Sequence, residues 1–71
     1  MNANEWLAAY ADKLGTDPPT QEEFKGVLDL AAEAAHSSQR ISGPIACWLA
    51  ARAGVSLDEA LQYARELDGD G

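Results

Sequence analysis

The stretch "LDLAAEAAHSSQRISGPIACWLA", residues 28–50, decides the fold. Its first half repeats apolar residues at helical spacing as far as Ala35, and its second half starts a new apolar helix around Pro44. Between them lies "SSQRISGP", residues 37–44. Here Ser42 or Gly43 is placed to cap the new helix, and Pro44 fits the first turn, where a missing N–H is harmless. The centre of the chain therefore reads as two helices joined by a short turn.

Working outward, the helix before that turn begins at "TQEE". Thr20 and Glu23 stand at the spacing at which each side chain answers the other's free amide. The helix runs over about residues 21–37, and Phe24, Val27, Leu28, Ala31, Ala34 and Ala35 form its expected buried stripe. Gly26 inside it either admits a close neighbour or is a tolerated exposed glycine. "DPP", residues 17–19, interrupts the chain before it, because proline lacks an amide donor and restricts the residue before it.

Upstream, Asn2 and Glu5 repeat the capping spacing. Trp6, Leu7, Tyr10, Ala11 and Leu14 then share one face, and Gly15 supplies the stop. Downstream of the turn, Ile45, Ala46, Trp48, Leu49 and Ala53 give the third helix apolar residues around most of its circumference, so it is expected to be the most buried. Gly54 ends it. "SLDE" repeats the box with Ser56 and Glu59, and Leu57, Ala60, Leu61, Ala64 and Leu67 form the cleanest stripe of all. The fold expected is all-α, a compact bundle of four short helices in a single domain over 1–71, with its core at about 4–67 and a disordered end at 68–71.

Totals limit the function. Seventeen large apolar side chains, from Trp6 to Leu67, make a core near the lower size limit, with about 3–5 kcal/mol of stability, so association with another surface is expected. The fourteen alanines favour helix and let helices approach closely. Twelve acids against five bases leave a net charge of −7, which argues against nucleic acid and anionic membrane and favours a basic protein partner. One cysteine and no apolar leader point to a reducing cytoplasm.

Asp29, Glu33, His36 and Arg40 fall on one side of the second helix if it runs that far. Two readings stand. In the structural one, Glu33 pairs with His36, and His36 and Arg40 meet the free carbonyls at the helix end. In the functional one, His36 and Arg40 hold a small anion beside the third helix start, whose amides from Gly43 onward favour negative charge. Glu33 and His36 also make a Glu-x-x-His unit, but its companion ligands are missing, so no metal site or cofactor is expected. Cys47 reads as a packed thiol, and Trp6, Tyr10 and Trp48 as core or interface. No Gly-rich phosphate loop or serine elbow is present, so no catalytic residue is assigned and the chain is not read as an enzyme.

Trp6–Leu7, the run Leu28, Leu30, Ala31, Ala35 and His36, and Arg40 with Pro44 carry a family resemblance over about residues 4–67. The chain resembles a small actinobacterial helical domain family of unknown function. That family's members look free-standing in some genomes and are attached in others to the nucleotidyltransferase that makes molybdopterin guanine dinucleotide. The resemblance implies a non-catalytic accessory role in molybdenum-cofactor synthesis, with that enzyme as partner. The alternatives are an anion or small-molecule binder using His36 and Arg40, and a self-associating protein.

Overall fold

A computed structural model describes residues 1–70, with side chains described through residue 68. Among the described residues the chain is an all-α bundle of four helices: α1 (Ala3–Leu14), α2 (Gln21–Ser37), α3 (Ser42–Ala53) and α4 (Leu57–Asp70). The first two begin where the polar pairs place them. Asn2 Oδ1 accepts from the Glu5 amide at 2.8 Å while Glu5 Oε1 accepts from the Asn2 amide at 3.1 Å. Thr20 and Glu23 repeat the exchange at 3.1 and 2.8 Å. Gly15 and Gly54 close α1 and α3 in the left-handed conformation, at φ 79° and 75°. That geometry disfavours every residue with a Cβ.

Two starts differ from the sequence reading. Ser56 Oγ accepts from the Glu59 amide and donates to the Glu59 carboxylate, both at 3.1 Å, so here the serine hydroxyl takes both roles. At α3 neither Ser42 nor Gly43 is the cap. Ile41 holds that position in right-handed helical geometry with no side-chain hydrogen bond. A tight turn replaces the cap: the Ser42 amide donates to the Gln39 carbonyl at 2.9 Å and the Gly43 amide to the Arg40 carbonyl at 3.2 Å. Pro44 then needs no partner. α4 continues past Leu67 through Asp70, and of the end read as disordered, residue 71 lies outside the described residues.

α2 is the central element, and α3 and α4 make their main packing against it. Being covered by two helices widens its buried arc: of the expected stripe Phe24, Ala31, Ala34 and Ala35 are half-buried. Leu30 is the most buried side chain, at 2 % exposure, whereas Val27 and Leu28 face outward. Glycines allow the two contacts. At Gly43 a Cβ would lie 3.1 Å from the Ala31 carbonyl oxygen, and at Gly26 it would lie 3.0 Å from Leu57 Cδ1. Gly26 is thus the point where α2 admits the start of α4. Ala60 is buried at that contact, with Leu57, Leu61 and Ala64 half-buried, while Leu67 is exposed.

The largest departures are in α1 and α3. Of the α1 stripe, Ala11 is buried and Leu7 half-buried, whereas Trp6, Tyr10 and Leu14 are exposed. α3 is not the most buried helix; only Gly43 in it is fully covered. Its small residues Gly43, Ala46, Cys47 and Ala50 are turned in toward α2, and its large ones are turned out.

The resulting molecule measures 39 × 23 × 18 Å with a radius of gyration of 13.0 Å, against about 11 Å for a typical chain of this length. Its accessible surface is 5706 Å², whereas a folded monomer of 7.5 kDa has about 4,250 Å².

Candidate functional site

The turn between α2 and α3 brings His36, Arg40 and Gly43 into one short segment but does not build a receptor from them. His36 lies in the last turn of α2, next to the Ser38 amide, which closes the helix on the Ala34 carbonyl at 3.1 Å. His36 and Arg40 are both exposed. The Glu33–His36 pair does not form; among the described residues the ion pair present is Lys25–Asp29 at 2.9 Å. Ser37 Oγ donates to the backbone carbonyl of Glu33, one of the free carbonyls at this helix end. The Gly43 amide is already committed to Arg40, and Pro44 has none, so the α3 start lacks the free amides that an anion site requires. Gly43 serves helix packing.

Cys47 is half-buried, less enclosed than the sequence reading had it, with its Sγ 3.7 Å from the Val27 carbonyl oxygen. Loss of water around the thiol raises its pKa above the ordinary value, which favours the unreactive protonated form. Among the described residues no three His, Cys, Asp or Glu side chains gather as metal ligands. No helix there is long and apolar enough to cross a membrane.

An open groove of about 760 Å³ lies between the start of α1, Pro18–Pro19 and α2, with Leu7, Phe24 and Leu28 in its wall. Its polar lining includes Asn2 and Thr20, and the side-chain oxygens of both already cap helices. The side-chain amides of Asn4 and Gln21 also line it, and Lys25 in its wall pairs with Asp29 at 2.9 Å.

The outer face of α3 is different. Ile41, Ile45, Trp48, Leu49 and Arg52 recur at i, i+4, i+7, i+8 and i+11, one continuous helical stripe, opposite the small residues that face α2. Ile41 is 73 % exposed, Ile45 and Trp48 59 % each, and Leu49 46 %. The Arg52 guanidinium lies over the Trp48 ring, 4.5 Å from its centroid, a cation–π contact within the stripe. On α1, Trp6 and Tyr10 stack with ring centroids 5.1 Å apart, forming a second, smaller aromatic surface. Trp6, Tyr10 and Trp48 thus all present aromatic surface to solvent. Sequence reasoning named Trp48 as core or interface and Ile45 and Leu49 as apolar residues of a mostly buried helix, and it missed Ile41 and Arg52. The signal was present in the segregation of small and large residues onto opposite sides of one helix.

A family model described as a domain of unknown function (DUF6457) matches residues 1–68, and the chain belongs to that family. No curated protein and no solved structure matches it.

Proposed function

We propose that this member of the family is a non-catalytic helical interaction module that presents the outer face of α3 for docking. The observation that carries the reading is the excess surface, about 1,450 Å² above that of a folded monomer of this mass, together with large apolar side chains standing at it. A small chain leaves such side chains in water at a cost that a partner removes. The half-buried thiol supports a non-catalytic role, since desolvation raises its pKa and keeps it from standing ready as a nucleophile.

The finer reading makes the module a cytoplasmic accessory of the nucleotidyltransferase that completes molybdopterin guanine dinucleotide. It rests on the resemblance carried by Trp6–Leu7, the α2 residues through His36, and Arg40 with Pro44. Acids on α1, α2 and α4 would speed encounter with a basic enzyme more than they add affinity. Co-purification of the full chain with that enzyme, at low and high salt, tests it. Saturable binding that is lost in Trp48→Glu supports the reading. A strict monomer that retains no partner at either salt overturns it.

A further inference from the structure

The outer stripe of α3 lies in the one long part of the chain that carries no carboxylate. All twelve acids fall outside residues 34–57; α1, α2 and α4 each hold at least two, and α3 holds none. That distribution bears on which surface a second copy could meet. In a two-fold interface the same patch appears on both sides, so an acidic face sets carboxylates against carboxylates. For a chain of net charge −7 this excludes most of the surface, and α3 escapes it. The area agrees. A standard interface covers about 800 Å² per partner, which fits within the about 1,450 Å² by which the whole chain, all four helices together, exceeds a self-sufficient monomer.

We propose that the occupant of the α3 face is a second copy of this chain, in a two-fold dimer with the two α3 helices antiparallel. The proposal rests on the interaction reading and assigns the α3 face to a second copy in place of the nucleotidyltransferase. Antiparallel packing about the middle of α3 puts Ile45, Trp48 and Leu49 of each copy at the centre, in contact with their symmetry mates. It also sets the C-terminal end of each helix beside the N-terminal end of the other, so the helix dipoles attract. The same arrangement sets Arg52 of each copy toward Arg40 of the other at the ends of the stripe, where both are exposed and water screens the two cations.

Sedimentation equilibrium of the full chain over a wide concentration range tests this, with circular dichroism to verify that each variant keeps its helices. The parent is expected to approach twice 7.5 kDa. Ile45→Glu and Trp48→Glu, each at an exposed site, are expected to weaken the dimer by about 30-fold or more. Trp6→Glu on α1 is expected to leave it unchanged. A parent that stays at 7.5 kDa throughout overturns the dimer, and so does a dimer that survives both α3 substitutions. A monomer whose binding to another protein is still lost in Trp48→Glu overturns the dimer alone and leaves the interaction reading standing.

Discussion

Gly43→Ala places a single methyl group at the closest approach of α3 to α2. The new Cβ would sit 3.1 Å from the Ala31 carbonyl oxygen, 3.4 Å from Ala31 Cβ and 3.6 Å from the Ala31 carbonyl carbon. These are mainly backbone atoms of a regular helix, so relief requires α3 to move outward by a few tenths of an ångström. Overpacking of this kind costs about 1–3 kcal/mol. Replacing glycine in a helix returns up to about 1 kcal/mol, and less in a first turn. The net expectation is a loss of about 1–2 kcal/mol, a large part of the stability of so small a core. In a domain of this length it lowers the melting temperature by about 5–15 °C. Gly26→Ala is the control. Its nearest neighbour is the tip of a flexible side chain, Leu57 Cδ1 at 3.0 Å, with Leu57 Cβ at 3.3 Å, and it gains the full mid-helix propensity. Its net effect should stay within about 1 kcal/mol. Thermal melts of both variants decide the matter. If Gly43→Ala melts at or above the parent, the close α2–α3 contact is wrong.

Removing the capping acceptor in Thr20→Ala or Ser56→Ala should cost about 0.5–2 kcal/mol each, read as a lower melting point. Alkylation of Cys47 in the native protein should be slower than that of a free peptide thiol, with its rate-against-pH curve displaced to higher pH, because desolvation raises the thiol pKa. The same shift makes stability fall as pH rises through the ordinary thiol pKa, since the unfolded thiol ionises first. His36→Gln should change stability by no more than about 0.5 kcal/mol, since the side chain is exposed and its pairing with Glu33 does not form. Saturable shifts at His36 and Arg40 in an NMR titration with phosphate or molybdate, lost in Arg40→Ala, would restore the anion site.

The helices could be read from the chain because their ends are set by local chemistry. Asn2 with Glu5, Thr20 with Glu23, and Gly15 and Gly54 each act within one turn of their own position. Which side of each helix is covered depends on partners elsewhere in the chain, and there the reading held for α4 as far as Ala64 but only in part for the other three helices. The Phe24–Val27–Leu28 stripe assumes one neighbour for α2, but α3 and α4 both pack on it and Leu30 becomes the buried centre. An α3 apolar on all sides reads as wholly buried only if size is ignored. Gly43, Ala46 and Ala50 let α3 lie close to α2, and the same contact leaves Ile45 and Trp48 with nothing to cover them. The candidate site was half legible for that reason: Trp48 stood out by type, while its neighbours on the stripe matter only through the face they share. His36 and Arg40 stood out as rare residues, but the turn spends its amides on its own carbonyls.

The central claim is that the outer face of α3 is covered by a second copy of the chain, and the fluorescence of Trp48 measures that directly. In a Trp6→Phe variant Trp48 is the sole indole, and in the isolated chain it is 59 % exposed. The account predicts emission typical of a hydrated indole at high dilution that moves to shorter wavelength as protein concentration rises, with the shift abolished by Ile45→Glu. Emission that stays at the hydrated wavelength at every concentration, in a variant that keeps the parent's helical content, would contradict it.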